Sequence, residues 1–491
     1  MFRLEKIGVL RHVSSREVVE SPLGLGFEKL DRDIFDPSVA YDFVEASGVK
    51  WIRIQSGWAR TERERGVYDF AWLDDVVDHL IAAGCRPWIC LCYGNGLYDA
   101  NAARVFGATG CPPDVTEEQR FAWHRYVAAT VSRYRGRVGH YEIWNEPDGG
   151  TWKRFDADGK IIPIFSTEER GREYGVFANA TAKAIREGNP EAKVIVGSMC
   201  SPSLEWLTGV AATGCLADAW GFSYHCYTTD ETENAERIRM LRAFLRRHNP
   251  AIRLIQGESG SQSRHDGHGA LQFMAWTEDR QARELLRHTV SDLLGGVAFS
   301  SYFSCMDMAE ALNGVVGNLS SYTDYGYFGV LSATFDATGK ATGVSRPKPS
   351  YAALRNLAAL FNGAPELRDA PVRIVHELPS PLAGNRPLPA ARELTFGLFA
   401  RPNGSKAFAY WKPCDLLTTS YAGFVSMDFA DCPGVPLVAD PLDGSMYRLP
   451  ESMATRLGEG CWRLQELPLR DYPLFLLWGD FVGINHPTEL P

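Results

Sequence analysis

Eight short apolar segments, each followed by a loop and a helical pattern, constrain the fold of this chain more than any other feature. Their hydrophobicity is nearly continuous, which is typical of parallel strands covered on both faces. They lie at residues 23–27, 49–55, 86–93, 139–145, 192–198, 219–227, 252–258 and 296–304. Eight strand–helix units in roughly 340 residues predict an α/β fold, a (β/α)8 TIM barrel with insertions.

The stretches between the apolar segments have a helical period. Clear examples lie at residues 70–84, 117–136, 175–190 and 280–296. Several of them end in Gly, as a helix C-terminus prefers. A doubly wound open sheet is the alternative, but no GxGxxG or GxxxxGK[ST] motif follows the first strand, so its nucleotide-binding versions lose support.

The pattern changes after residues 347–361. Short alternating segments at 396–411, 423–430 and 472–480 are broken by Pro, Gly, Asn and Asp. This pattern predicts an accessory antiparallel β-sandwich domain. We predict that residues 1–20 join the sandwich, that residues 21–362 form the barrel, and that residues 363–491 form the sandwich.

Composition excludes several classes of partner. The chain has 491 residues, 45% of them hydrophobic, and a net charge of −9, which argues against nucleic acid or an anionic membrane as partner. The N-terminus lacks a signal-peptide pattern, and no window of about 18 apolar residues occurs. The 11 cysteines include no CxxC pair, which indicates reduced thiols in a cytoplasmic protein without a zinc site.

Two glutamates stand where a barrel enzyme carries its chemistry. Glu146 comes just after the fourth predicted strand, and Glu258 ends the seventh. Catalytic groups of such barrels come from the C-terminal ends of the strands. Two carboxyl groups facing each other there are what glycoside hydrolysis with retention needs: one protonates the leaving oxygen and the other attacks the anomeric carbon. Because the two groups need different pKa values, their surroundings should differ.

The predicted neighbours of Glu258 suit a nucleophile. Arg53 faces inward on the second strand, and a guanidinium near Glu258 would keep that carboxylate ionised. His225 and Tyr227 alternate inward at the end of the sixth strand. A tyrosine hydroxyl there could donate a hydrogen bond to Glu258 and orient it.

The surroundings of Glu146 differ from those of Glu258. Trp144 and Pro147 flank Glu146 and give it the more apolar setting expected of an acid that holds its proton. Asn145 is then a hydrogen-bond donor for a sugar hydroxyl beside the reacting carbon. Glu142 lies in mid-strand, and we expect it to pair locally.

Further candidates lie on the predicted loops at the barrel mouth. Trp58 and Trp276 could stack on the apolar face of a sugar ring, or be ordinary core or surface aromatics. Polar side chains that could bind hydroxyl groups are Glu28, Asp31, Tyr93, Asn95, His265, Tyr302 and Asp307. Together they predict a polar pocket, which favours the release of single sugars from chain ends.

One compact polar cluster has the composition of a metal site. Arg264, His265, Asp266 and His268 follow Glu258, and His and Asp are metal ligands at such spacing. A polar sugar subsite or a plain glycine-rich loop is the favoured interpretation. Since a retaining glycosidase needs no metal, we predict neither a metal nor a cofactor.

Four short motifs carry a resemblance to a known group of enzymes. WNEP (144–147), the inward Arg of the second strand, HCY (225–227) and QGES (256–259) resemble clan A of the glycoside hydrolases. The stretches 66–95 and 135–148 look most like family 39, the β-xylosidase and α-L-iduronidase group. The resemblance covers residues 24–362 well and the predicted sandwich, also typical of that family, only loosely.

The resemblance implies a retaining mechanism. Glu146 would be the acid/base, Glu258 the nucleophile, and Asn145 a contact of the substrate's 2-hydroxyl. The loops 257–272 and 301–318 differ from those of the familiar xylosidases, so the resemblance does not determine which sugar is bound.

The sequence therefore predicts a retaining glycosidase. We expect it to be exo-acting on β-linked glycosides or short oligosaccharides, by double displacement. An endo-acting glycosidase and a transglycosylase on a polysaccharide are the alternatives. A non-catalytic carbohydrate-binding protein would more naturally lack one of the two glutamates. The expected partner is a carbohydrate, and assembly into a homo-oligomer stays open.

Overall fold

The computed structural model describes residues 4–162, 165–201, 203–310, 323–380 and 393–486. Part of the loop 301–318 therefore lies outside the described residues. The first strands are β1 (Glu5–Leu10), β2 (Leu23–Gly26), β3 (Trp51–Gln55), β4 (Arg86–Leu91), β5 (His140–Ile143), β6 (Arg154–Phe155) and β7 (Ile161–Ile162). They are followed by β8 (Lys193–Met199), β9 (Gly221–His225), β10 (Arg253–Ser259), β11 (Ser300–Tyr302), β12 (Met308–Ala309), β13 (Tyr325–Gly326), β14 (Leu331–Phe335) and β15 (Ala341–Pro347).

The described part of the chain that follows residue 361 consists mainly of strands. These strands are β16 (Glu366–Arg368), β17 (Val372–Pro379), β18 (Thr395–Ala400), β19 (Lys406–Trp411), β20 (Ala422–Phe429), β21 (Leu437–Ala439), β22 (Ser445–Arg448), β23 (Ala454–Gly458), β24 (Cys461–Arg470), β25 (Leu474–Trp478) and β26 (Ile484–Asn485). The described helices are α1 (Tyr41–Ser47), α2 (Trp58–Thr61), α3 (Ala71–Ala82), α4 (Glu117–Arg133), α5 (Glu168–Gly188), α6 (Leu204–Ala212), α7 (Glu231–Leu245), α8 (Glu278–Leu294) and α9 (Pro349–Phe361).

Eight parallel strands close into a barrel. Around it they follow the order β2, β3, β4, β5, β8, β9, β10, β11, and β11 pairs with β2 to complete the ring. Each of these strands corresponds to one of the eight predicted segments, and the fold class is confirmed. All five residues of β3 are buried, as expected for a strand with side chains in the barrel on one face and helices against the other.

The helices begin where the sequence supplies capping groups. α4 starts with a capping box in which Thr116 accepts from the backbone N–H of Gln119, while the Gln119 side chain accepts from the Thr116 N–H. Thr167 and Thr277 cap α5 and α8 with their hydroxyl groups. Among the described helices, none has the length and apolar composition needed to cross a membrane.

Two antiparallel sheets follow the barrel. The larger contains β16, β18, β19, β25, β21, β22, β1 and β26, and the smaller contains β17, β20, β24 and β23. The N-terminal strand β1 pairs with β22 and β26, so the first and last described strands lie in one sheet. The two sheets contact each other through Phe408 and Phe429, whose ring centroids are 5.0 Å apart. The domain boundaries and the sandwich arrangement stay predictions.

A buried ion pair fixes the larger antiparallel sheet to the barrel. Arg287 of α8 donates to Glu231 of α7 at 2.6 Å and to the carbonyl of Cys414 at 2.8 Å. The indole of Trp411 on β19 donates to the other oxygen of Glu231 at 2.8 Å. Because Arg287 and Glu231 are 2% and 4% exposed, each charge depends on the other for compensation.

We expect Glu231→Ala to destabilise the protein by about 3–5 kcal/mol, because it leaves the Arg287 charge buried without a partner. The control is Glu5→Ala, which breaks the exposed pair of Glu5 with Arg448 and should cost less than about 1 kcal/mol. Urea unfolding followed by tryptophan fluorescence measures both. Equal stability of the two variants would contradict the importance of this contact.

Candidate active site

The C-terminal ends of β3, β5, β9 and β10 bring the predicted catalytic side chains together. Arg53 lies on β3, Glu258 near the end of β10, and His225 at the end of β9. Asn145 and Glu146 come just after β5. In a parallel barrel these ends meet at one face, so strand-end residues far apart in sequence become neighbours.

Arg53 is the centre of the cluster. Its guanidinium is fully buried and donates to the carboxylates of Glu142 and Glu258, each at 2.8 Å, and to the amide oxygen of Asn145 at 2.8 Å. It also reaches the hydroxyl of Ser198 at 3.3 Å. Burial disfavours the charge, but the surrounding carboxylates outweigh it and hold the pKa of Arg53 above its ordinary value.

Glu258 has the environment of an ionised carboxylate. One oxygen accepts from Arg53 at 2.8 Å, and the other accepts from the hydroxyl of Tyr227 at 2.6 Å. Burial raises its pKa, but His225, Arg53 and the Tyr227 hydrogen bond together overcome that effect and leave the pKa lowered. The guanidinium predicted next to Glu258 and the orienting hydroxyl are both present.

Glu146 sits on a turn of unusual backbone conformation. Trp144 and Glu146 have φ angles of 68° and 49°, in the left-handed region that side chains other than glycine rarely adopt. The backbone N–H of Glu146 donates to the carbonyl of Ser198 at 2.9 Å, which ties the turn to the end of β8. The carboxyl group is 20% exposed and so remains reachable from the barrel mouth.

His225 lies between the two glutamates. Its Nδ1 is 3.0 Å from a carboxyl oxygen of Glu146 and 3.9 Å from one of Glu258. Its Nε2 is 3.2 Å from the hydroxyl of Ser198. Burial lowers the pKa of His225, but the Glu258 charge and the hydrogen bond to Glu146 outweigh it, and the pKa is raised.

The separation of the two glutamates matches one class of glycoside chemistry. One carboxyl oxygen of Glu146, one of Glu258 and one ring nitrogen of His225 all lie within 4.8 Å of one another. Retaining glycosidases hold their carboxyl groups about 5 Å apart, and inverting ones about 6.5–9.5 Å apart to make room for a water molecule. The shorter class fits this site.

These three side chains also lie close enough together to hold a metal ion. In the described part of the chain, no other group of three or more His, Cys, Asp or Glu side chains does so. Arg53, in contact with Glu258, places a positive charge where a cation would bind and opposes it. In the predicted cluster after Glu258, Arg264 pairs with Asp266 at 2.6 Å instead.

Glu28, on the loop after β2, is a buried third acid beside Arg53. It accepts from the guanidinium at 3.4 Å, and its other oxygen, buried, has no hydrogen-bond partner among the described residues. That oxygen lies against Gly26, where an added Cβ would come within 2.2 Å of it. Burial raises the pKa of Glu28 to about 8, although Arg53 lowers it, and the Glu258 charge adds to the rise.

Two predicted aromatic contacts are corrected. Trp58 is fully buried among Tyr98, Trp123 and Tyr126, and its indole N–H donates to Glu62. Trp276 is 2% exposed and donates to the carbonyl of Leu271. Neither ring has a face open to a sugar: Trp58 is covered by side chains that include Trp123 and Tyr126 of α4, and Trp276 is almost fully buried.

Several predicted hydroxyl-binding groups are occupied by the protein itself. Tyr93 accepts from Gln55, and Asn95 bonds the backbone of Glu62 and Leu97. Asp307 pairs with the buried Lys348 at 2.6 Å. The hydroxyl of Tyr302 accepts from the N–H of Ser261, and Asp31 pairs with Arg32. These groups order the mouth loops, whereas His265 is exposed and its binding role stays a prediction.

Four members of the site were not predicted from the sequence. Glu142 was expected to pair locally, but it is fully buried and bonds Arg53, 89 positions away. A charged residue inside an apolar strand needs a buried partner, and Arg53 was the available one. Ser198 links Arg53 to His225, and Asp148 accepts from the loop after β8. Lys29, after β2, pairs at 3.0 Å with Glu310, which follows the neighbouring strand β11.

Comparison with known proteins agrees with the fold and with the resemblance to clan A. A family model described as β-galactosidase, of glycoside hydrolase family 42, matches residues 27–113. A β-xylosidase of Geobacillus stearothermophilus is 26% identical over 149 residues, which make up 29% of this chain and 26% of that enzyme. The matched stretch thus spans about a quarter of that relative's length.

Solved structures share the fold over most of the chain. A family 39 glycoside hydrolase of Bacteroides cellulosilyticus superposes with a TM-score of 0.61 at 17% identity, over 96% of this chain and 83% of that one. A monomeric β-xylosidase of Caulobacter crescentus gives a TM-score of 0.56 at 16% identity, over 96% and 97% of the two chains. At such identities the likeness shows the shared fold.

This chain is similar to clan A glycoside hydrolases, and its fold is that of the family 39 structures. The resemblance predicted from the four motifs is confirmed. The clan A motifs lie where the resemblance requires, since Asn145 and Glu146 follow β5, the fourth barrel strand, and Glu258 lies on β10, the seventh.

We expect Trp58→Phe to lower stability by about 1–3 kcal/mol, because the buried Glu62 loses its indole donor. The affinity for a sugar should not change, since the ring is covered. Thermal melting and inhibition by free monosaccharides measure the two effects, with Trp462→Phe, at a half-buried ring in the smaller sheet, as control. A weakened sugar affinity without a loss of stability would restore the stacking role.

Proposed function

We propose that this protein is a retaining glycoside hydrolase that releases single sugars from β-linked glycosides or short oligosaccharides. The observation that carries the proposal is the separation of Glu146 and Glu258, with carboxyl oxygens within 4.8 Å across the barrel mouth. The similarity to clan A proteins supports the same chemistry. A binding protein without catalysis would have no need for two carboxyl groups in this geometry.

In the first step Glu146 donates its proton to the glycosidic oxygen while Glu258 attacks the anomeric carbon. The bond to the leaving group breaks, and a covalent glycosyl-enzyme forms on Glu258. Arg53 and Tyr227 hold Glu258 ionised and aimed, because each donates a hydrogen bond to a different oxygen of it. In the second step Glu146 takes a proton from water, and the water oxygen displaces Glu258 from the sugar.

Asn145 is placed to donate a hydrogen bond to a hydroxyl group of the sugar. Its amide oxygen accepts from Arg53 at 2.8 Å, and this bond fixes the amide so that its N–H donors point away from the guanidinium. Those donors suit the hydroxyl next to the anomeric carbon, where a hydrogen bond strengthens as charge develops in the transition state.

The sugar is proposed from the relatives. The Geobacillus and Caulobacter proteins are named β-xylosidases, and the family model is named for β-galactosidase. A β-xyloside is therefore the first substrate to test and a β-galactoside the second. Endo action and transglycosylation use the same two glutamates, and analysis of the products formed from an oligosaccharide distinguishes them.

The location in the cell is also a proposal. All eleven cysteines are free, and most are buried in the barrel or the sheets. Unpaired thiols in this number fit a reducing compartment such as the cytoplasm. The substrates would then be imported oligosaccharides or small glycosides.

The first test is hydrolysis of a panel of nitrophenyl glycosides by the wild type, Glu146→Ala and Glu258→Ala. We expect one β-glycoside to be cleaved, and loss of the acid/base to slow cleavage of poor leaving groups by about 10²–10⁴-fold. Azide should rescue Glu258→Ala as an α-glycosyl azide and Glu146→Ala as a β-glycosyl azide. The control is Glu236→Ala, at a glutamate that is 74% exposed. Full activity of Glu146→Ala on a poor leaving group would refute the mechanism.

A second prediction concerns the hydroxyl on the nucleophile. Tyr227→Phe removes the 2.6 Å hydrogen bond to Glu258, which is worth about 1.5–3 kcal/mol, and kcat should fall about 10–100-fold. The matched control is Tyr141→Phe, because the hydroxyl of Tyr141 is buried without a hydrogen-bond partner among the described residues. If both variants keep wild-type kcat, Tyr227 does not support Glu258.

A further inference from the structure

The outward faces of α4 and α5 carry the most exposed large apolar side chains of the described helices. Phe121 of α4 and Val176 of α5 are each 64% exposed, whereas in the described part of the chain α7 and α8 carry no exposed large apolar side chain. Both side chains line an open groove of about 1240 Å³ between the two helices. A surface helix normally presents polar residues to water, so the groove and these side chains, together the α4–α5 face, indicate a contact surface.

Helix α5 carries opposite charges at equal distances from Val176. Glu169 lies seven residues before Val176 and Lys183 seven residues after it, and all three line the groove. A spacing of seven residues keeps them on nearly the same side of the helix, about 10 Å apart along its axis. No ion pair engages Glu169 or Lys183 within the part of the chain that the structure describes. A helix with this pattern is complementary to a second copy of itself that runs in the opposite direction.

Helix α4 has the same arrangement of charges about Phe121. Glu117 lies four residues before Phe121 and Arg125 four residues after it, so the three side chains are neighbours on one side of the helix. Arg125 is exposed, and its guanidinium lies 5.3 Å from the centroid of the Phe121 ring. Among the described residues neither Glu117 nor Arg125 forms an ion pair. In an antiparallel pair of α4 helices, the acid of each copy would face the base of the other.

A single two-fold axis satisfies both helices. They run parallel to each other, because each leads from one barrel strand to the next. Trp123 of α4 stacks on Phe177 of α5 with ring centroids 5.6 Å apart, and its indole donates to Thr181 at 2.9 Å, so it is level with the turn between those two residues. Phe121 is therefore level with Val176 to within about 2 Å. An axis that crosses both helices at this level relates each helix to its own antiparallel copy.

We propose that the α4–α5 face is the interface of a homodimer, in which two copies pack this face on itself about a two-fold axis that crosses α4 and α5. At the axis Phe121 and Val176 each contact their counterparts in the second copy. Towards the rim the acidic group of each helix pairs with the basic group of the same helix in the other copy, and every pair occurs twice. An apolar centre with a polar rim is the usual anatomy of a protein interface. The proposal goes beyond the glycosidase function and does not rest on it.

The charge pattern favours a second copy over other occupants of the groove. A neutral sugar chain would contact the two apolar side chains but leave the flanking charges without partners. An unrelated protein would need opposite charges at the same four points, whereas a second copy carries them there because it is the same chain. Opposite charges that face each other across an interface favour the correct partner and register, and like charges disfavour the others.

Sedimentation velocity of the full chain over micromolar concentrations tests the interface. We expect the wild type to sediment with twice the chain mass of 54.5 kDa. Val176→Lys places a positive charge against its own counterpart at the axis, so the dissociation constant should rise at least about 100-fold and leave a monomer. The matched control is Ile81→Lys on α3, at an apolar side chain that is 37% exposed, and it should leave the dimer unchanged.

Charge reversal on α5 tests the direction and register of the pairing. Glu169→Lys or Lys183→Glu alone turns two attractive pairs into repulsive ones, and the dissociation constant should rise about tenfold. The double variant that combines Glu169→Lys with Lys183→Glu exchanges the two charges and should restore the wild-type constant. Both positions are exposed, so the fold should be retained, which circular dichroism and thermal melting measure.

The outcomes distinguish a second copy from its rivals. A wild type that stays monomeric at every concentration refutes the interface, and a weaker affinity of Phe121→Ser for an oligosaccharide would then assign the groove to a long substrate. A dimer that persists in Val176→Lys is formed by another surface, which also refutes the proposal. If Val176→Lys dissociates the dimer but the double reversal does not restore the affinity, the two-fold pairing of α5 is refuted.

Discussion

The contact between Arg53 and its carboxylates is the interaction on which the rest of the site depends. One buried guanidinium binds Glu142 on β5, Glu258 on β10 and Asn145 just past β5, so it joins three parts of the barrel from the inside. A buried charge without partners is too costly, so a buried guanidinium needs hydrogen-bond acceptors for its planar set of N–H donors. The same contact therefore fixes the distance between strands and the orientation of the nucleophile.

Charge counting explains the division of roles among the acids. Arg53 is one cation, and Glu28, Glu142 and Glu258 are three carboxyl groups around it, so mutual repulsion disfavours ionising all of them. Glu28 has the poorest contact and an oxygen without a donor among the described residues, and burial, which outweighs Arg53, raises its pKa to about 8. A neutral Glu28 leaves the guanidinium to Glu142 and Glu258, which favours an ionised nucleophile at neutral pH.

Sequence patterns predict the barrel because its strands are short, apolar and regularly spaced, and each local signal agrees with the global fold. They also predict Arg53, Tyr227 and Glu258 as neighbours, since the topology places inward-facing strand-end residues at one mouth. The partner of Glu142 and the burial of Trp58 could not be predicted from strand patterns and topology. Both depend on side-chain packing between segments distant in sequence, namely Arg53 on another strand and the helix α4 that carries Trp123 and Tyr126.

The charges around Glu146 change during the proposed reaction in the direction that the chemistry needs. Before the sugar is transferred, Glu146 acts as the acid while Glu258 is a negatively charged neighbour, and Nδ1 of His225 lies 3.0 Å from the Glu146 carboxyl group. Esterification of Glu258 removes that negative charge at the moment when Glu146 is required as a base. Glu146 can therefore act first as an acid and then as a base, because the negative charge of Glu258 disappears between the two steps while the other charges remain.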